Sequence, residues 1–133
     1  MKKTDAKFTL VAARFNSDIV DKLIEGAMAT LKQEGVPEGN IILVRVPGAF
    51  EIPLVAKKIA DQGKTDAIIA LGAVIRGDTP HFDFVAGECA SGLTRASPDT
   101  GVPMAFGVLT TDTVKQAVER SGSNVRKKAG SEA

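Results

Sequence analysis

His81 is the chain's only imidazole, and it follows a loop, Arg76-Gly77-Asp78-Thr79-Pro80, whose residue types suit an anion. An imidazole with an ordinary pKa near 6.5 donates and accepts protons at neutral pH, as a dehydration or imine-forming reaction requires. Gly77 lets backbone approach a ligand closely, and Thr79 offers a hydroxyl. The helix predicted to follow aims free N–H groups and the positive end of its dipole at the loop. The plainer alternative is a capped loop with a histidine hydrogen-bonded to backbone at a helix start. A second candidate is Val46-Pro47-Gly48-Ala49-Phe50-Glu51-Ile52-Pro53. There Phe50 can flank a planar ring and Glu51 can accept hydrogen bonds from ligand hydroxyls. Alternatively, Glu51 is an acid in a first helical turn, favoured there by the dipole. Phe15, in Arg14-Phe15-Asn16, offers another ring face, unless it belongs to the core as most Phe residues of small domains do. Arg120 has, on its own, the place of a cation offsetting the carboxyl-terminal dipole of the last predicted helix. One His and one Cys supply no metal-ligand set, so no metal is expected.

These residues meet only if the elements between them bring the loops to one edge. Residues 8–13, FTLVAA, read as a strand, and Asn16, Ser17 and Asp18 each can cap the helix that follows. Val20, Leu23, Ile24, Ala27, Met28 and Leu31 recur at helical spacing, and Gly35 is placed to end that helix. A turn at residues 37–40 leads into a β-branched strand over 41–46, broken by Pro47-Gly48. Ile52, Val55, Ala56, Ile59 and Ala60 form a second helical stripe closed by Gly63. Residues 67–74 are apolar on both faces, the mark of a central parallel strand covered by helices on each side. The spacing then predicts a loop over 75–81, a helix over 82–96 with Val85, Cys89 and Leu93 on its inner side, and a turn at 97–101. A fourth strand over 102–109 follows, and then a helix begun by Thr113 and Gln116 at capping-box spacing. Strands alternating with helices, with no hairpin signal, predict an α/β fold with a four-stranded parallel sheet and right-handed crossovers. In such sheets ligands bind beyond the carboxyl ends of the strands, which is where all the candidate loops fall.

Composition narrows the function class. Lys plus Arg is 17 against 16 Asp plus Glu, and Trp and Tyr are absent. No basic excess or stacking platform marks a nucleic-acid binder. The longest apolar run, residues 67–74, is far short of the roughly 20 residues a membrane helix needs. A lone Cys89 fits a reducing cytoplasm, and no signal peptide is expected. One domain over 1–133 is expected, with loose ends at 1–6 and 123–133. From the residues alone, the site is a small-molecule pocket with an anion cradle, aromatic walls and one acid/base histidine.

The quoted segments closely resemble the lumazine synthase family. They are Arg14-Phe15-Asn16, the run from Val46 to Pro53, Ala70-Leu71-Gly72-Ala73-Val74-Ile75-Arg76-Gly77-Asp78-Thr79-Pro80-His81-Phe82-Asp83, and Phe106-Gly107-Val108-Leu109-Thr110-Thr111-Asp112-Thr113. The likeness keeps its order from about residue 8 to 122. It implies a flavodoxin-like three-layer α/β/α sandwich that assembles into pentamers, in some members twelve of them in a sixty-subunit icosahedral shell. It also implies condensation of 5-amino-6-(D-ribitylamino)uracil with 3,4-dihydroxy-2-butanone 4-phosphate, the penultimate step of riboflavin biosynthesis, without metal or organic cofactor. Carried over residue by residue, Phe15 stacks on the pyrimidine, and Ala49, Phe50 and Glu51 hold the pyrimidine and ribityl chain. The backbone of Ala73, Val74 and Ile75 reads the ring edge, Asp78 and Thr79 line the phosphate pocket, and His81 transfers protons. Phe106 and Arg120 come from the neighbouring subunit, with Arg120 on the phosphate. Against the family pattern, the long C-terminal helix is expected to be truncated after Arg126-Lys127-Lys128-Ala129-Gly130. Two other functions are therefore weighed: an impaired, family-derived assembly or ligand-binding protein, and a generic flavin binder.

Overall fold

The computed structural model describes residues 5–75 and 82–111. The elements follow in the order β1 (Phe8–Ala13), α1 (Ser17–Gln33), β2 (Ile41–Val46), α2 (Ile52–Asp61), β3 (Ala67–Ile75), α3 (Phe82–Thr100) and β4 (Met104–Thr111). Single 3₁₀ turns at Glu38–Asn40 and Ala49–Glu51 lead into β2 and α2. All strand pairs are parallel, and the sheet order is β2-β1-β3-β4. This is a flavodoxin-like arrangement, with the reversal of strand order falling between β1 and β3.

The pleat divides the core into two layers. Leu10, Ala12, Ile69, Leu71, Ala73 and Ile75 point to one side, against Ile19, Val20, Leu23, Ala27 and Leu31 of α1. Val11, Ala13, Ile68, Ala70 and Val74 point to the other, against Ile52, Ala56 and Ala60 of α2 and Cys89 and Leu93 of α3. Both faces of β1 and β3 are thus sealed, as the unbroken apolar run of β3 demands. Each of the fully buried Leu and Ile side chains contributes about 1.5–3 kcal/mol by leaving water. Gly35 and Gly63 carry positive φ angles of 90° and 72° just past α1 and α2, which only glycine holds without steric penalty.

Three boundaries differ from the sequence-based expectation. The third helix runs on through the expected turn to Thr100, with Pro98 inside it. Proline there forfeits one backbone donor in the final turn, and hydroxyls re-use nearby carbonyls: Thr94 donates to Ala90 at 2.8 Å and Thr100 to Ala96 at 2.7 Å. The left-handed Gly101 then ends the helix. The fourth strand starts at Met104 rather than at 102, because Pro103 has no N–H for the ladder; its carbonyl still accepts the Ile68 N–H at 2.9 Å. Ile75, expected as the first loop residue, closes β3 in register with Thr111. The expected helix begun by Thr113 and Gln116 and the tail after 122 lie outside the described residues. Among the described residues, no helix is long and apolar enough to cross a membrane.

Candidate functional site

The site begins where strand pairing changes. From Phe8↔Ala67 to Ala12↔Leu71, β1 is paired with β3. Its pairing with β2 continues through Ala13↔Val46 and is prolonged by Arg14 N–H to the Val46 carbonyl at 2.7 Å and Phe15 N–H to the Pro47 carbonyl at 3.0 Å. Past Ala12, therefore, β1 follows β2 and parts from β3. The crevice so opened has a volume of about 400 Å³ and is lined by Phe15, the segment 47–51, Ala73, Val74, Ile75 and Val85. The 3₁₀ turn at its rim leads directly into α2, with the Glu51 N–H on the Gly48 carbonyl at 3.2 Å.

Phe15 and Phe50 stand 55% and 49% exposed at the mouth, although their rings would gain most by burial. Two half-exposed aromatic rings at the mouth of a crevice suit a planar ligand. The floor is built from small residues. A Cβ added to Gly72 would lie 3.6 Å from the Ala13 Cβ and 3.7 Å from the Ala49 Cβ, in ordinary contact, so the two alanine methyl groups face the Gly72 backbone with room for one more methyl. Glu51 folds back over the loop: a Cβ on Gly48 would stand 3.3 Å from its Oε1. The turn carrying Ala49, Phe50 and Glu51 runs into Pro53, whose ring presses on α3. A Cβ on Gly92 would fall 2.5 Å from the Pro53 Cβ, so only glycine lets the two helices close there. Arg45 of β2 anchors the other wall, donating to the Ala13 carbonyl at 3.2 Å and pairing with Asp21 of α1 at 3.1 Å. Burial pushes the Cys89 thiol from its ordinary 9.0 up to about 12, so it is not a nucleophile at neutral pH.

Of the residues singled out in the sequence, Phe15, Ala49, Phe50, Glu51, Ala73, Val74 and Ile75 line this one crevice. Phe106 does not; it lies on β4, 42% exposed and apart from the lining. Asp78, Thr79, His81 and Arg120 lie outside the described residues, as does Lys128. Two contributors escaped the sequence. Val85 reaches the crevice from the first turns of α3, where helical spacing marked it only as core. Asn16, expected to cap α1, makes no side-chain cap; its Nδ2 donates instead to the Ala73 carbonyl at 3.1 Å.

Residues 5–133 match the family described as 6,7-dimethyl-8-ribityllumazine synthase. The chain belongs to that family. A curated relative, the 6,7-dimethyl-8-ribityllumazine synthase of Halorhodospira halophila, is 56% identical over 129 residues, covering 97% of this chain and 82% of the relative. The lumazine synthase match and the flavodoxin-like sheet agree, and the crevice at the β1/β3 switch point lies where such a sheet binds its ligands.

Proposed function

We propose that the chain condenses 5-amino-6-(D-ribitylamino)uracil with 3,4-dihydroxy-2-butanone 4-phosphate to give 6,7-dimethyl-8-ribityllumazine, a transferase step in riboflavin biosynthesis. Membership of the lumazine synthase family over residues 5–133 carries this proposal. An amine meets a ketone to form an imine with loss of water; phosphate is then eliminated, and ring closure releases a second water. Nothing in that sequence needs an oxidant, so positioning and proton transfer suffice.

Each residue takes a role within this proposal. The Phe15 ring covers the pyrimidine, and Ala49, Phe50 and Glu51 hold the pyrimidine and the ribityl hydroxyls. Backbone at Ala73, Val74 and Ile75 reads the ring edge. Asp78 and Thr79 line the phosphate pocket, and His81 moves the protons. Phe106 and Arg120 serve the site of a neighbouring subunit. The half-exposed Phe106 on β4, away from its own chain's crevice, supports that sharing. A homo-oligomer follows, as a pentamer or a sixty-subunit shell, acting on small molecules in the cytoplasm. The direct test mixes both substrates with the assembled protein and follows lumazine fluorescence. A rate above the uncatalysed condensation is expected, and a folded, assembled sample with none would overturn the proposal.

A further inference from the structure

Asn16 is the one non-glycine among the described residues with a positive φ, at φ 62° and ψ 43°. Left-handed backbone is disfavoured for residues with a Cβ, and where it persists the surroundings must hold it. The position also departs from ordinary helix-start chemistry. A residue at an N-cap normally has extended backbone, which turns its side-chain oxygen onto the free N–H groups of the first turn. Here the backbone carbonyl of Asn16 takes the N–H groups of Ile19 and Val20, each at 3.0 Å, while the carboxamide turns away from α1. It crosses to β3 and donates to the Ala73 carbonyl at 3.1 Å, beyond the point where β1 and β3 stop pairing. The neighbouring Phe15 is held from the other side by its N–H on the Pro47 carbonyl. The segment bearing the Phe15 ring is thus tied to both remaining walls of the crevice, once through backbone and once through this side chain.

We propose that Asn16 is a positioning residue for the pyrimidine half of the site. By spanning the splayed β1 and β3 ends, its carboxamide fixes the Phe15 ring at a set height over the Ala73, Val74 and Ile75 backbone. A planar substrate must fit between the two. Asn16 suits this place because, apart from glycine, it tolerates left-handed backbone best while carrying a donor. This inference rests on the proposed condensation.

The test compares the full-length wild type with Asn16→Gly and Asn16→Ala in steady-state kinetics, varying each substrate in turn, alongside thermal melting. Asn16→Gly keeps the backbone conformation without steric penalty and removes only the tether. It is expected to raise KM for the ribityl-pyrimidine about 3- to 10-fold, the range of one net hydrogen bond. KM for the phosphate substrate and kcat should stay within about 2-fold. Asn16→Ala should show the same KM rise and melt several degrees lower, because its Cβ must hold the left-handed conformation. A wild-type KM in Asn16→Gly would overturn the inference. So would KM values that track melting temperature across the two variants, or equal losses on both substrates. In each of those outcomes an active wild type leaves the proposed function standing. A wild type with no lumazine synthesis would overturn that function and this inference with it.

Discussion

At the amino end of the β1–β3 pair, Lys7 and Asp66 bind each other in both directions. The Lys7 N–H donates to the Asp66 carboxylate at 2.7 Å, and the Lys7 carbonyl accepts the Asp66 N–H at 2.8 Å. Thr9, the only buried polar residue among the described core, donates to the Thr65 hydroxyl at 3.0 Å, which passes the bond to the Ala67 carbonyl. The strands start flush, Phe8 opposite Ala67. At the carboxyl end the same pair parts after Ala12 and Leu71, aromatic rings stand in water, and the Asn16 carboxamide bridges the opening. One end uses short-range polar bonds to close the sheet; the other leaves backbone and apolar surface for a ligand. On the proposed function, stability and chemistry occupy opposite ends of two strands, and substitutions should sort by end.

The sharpest separation is expected at His81. His81→Ala should lower kcat by about 100-fold or more, the usual scale of a general acid/base, with little change in either KM or in melting. Arg120→Ala should instead raise KM mainly for the phosphate substrate. Equal, small effects from both, in steady-state kinetics, would remove the proposed division of roles.

Next in size is the core between the two ends. Leu71 is fully buried at the last β1–β3 pair, and Leu71→Ala should destabilise the fold by about 2–5 kcal/mol in denaturant titration. Its effect should fall on stability first and on the crevice second. Gly92→Ala must displace Pro53 and is expected to cost about 1–3 kcal/mol. Because Pro53 adjoins the turn holding Phe50 and Glu51, this variant should also weaken pyrimidine binding. An unchanged KM would show that the helix contact and the site turn are uncoupled.

Asp66→Ala, at the closed end, should remove about 1 kcal/mol of stability, since its bond to the Lys7 N–H is solvent-exposed, and leave both KM values unchanged. A shifted KM would break the division between the ends. An effect confined to alkaline pH, and absent at neutrality, concerns Cys89. Its folded thiol pKa of about 12 lies above the ordinary 9.0, so its contribution is complete below pH 9 and declines as pH rises toward 12. Denaturation midpoints of wild type should fall more steeply over that window than those of Cys89→Ala. A thiol reagent should label the folded chain only after denaturant is added.

Much of this molecule was legible in local pattern. The helical stripes of α1 and α2, the glycines that end them, the two-faced apolar run of β3 and the clustering of Phe15, Phe50 and Glu51 all follow from spacing and residue type. The errors fell where a residue's usual preference met a tertiary partner. Pro98 marks a turn in isolation, yet α3 continues to Thr100, where the Thr100 hydroxyl on the Ala96 carbonyl and the Gly101 N–H on the Ser97 carbonyl close its last turn. Val85 scans as core at helical spacing, and only the fold shows that it reaches the crevice.

By itself, then, the sequence determined the elements, their parallel order of use and the edge at which chemistry gathers, because hydrophobic period and turn residues act over a few positions. The tertiary structure decided where β1 leaves β3, and it turned Asn16 from a helix cap into a bridge to Ala73. Residues 57 apart in the chain make that bond. A carboxamide chooses between two acceptable partners by which one the packed strands bring within reach, and no local pattern records that distance.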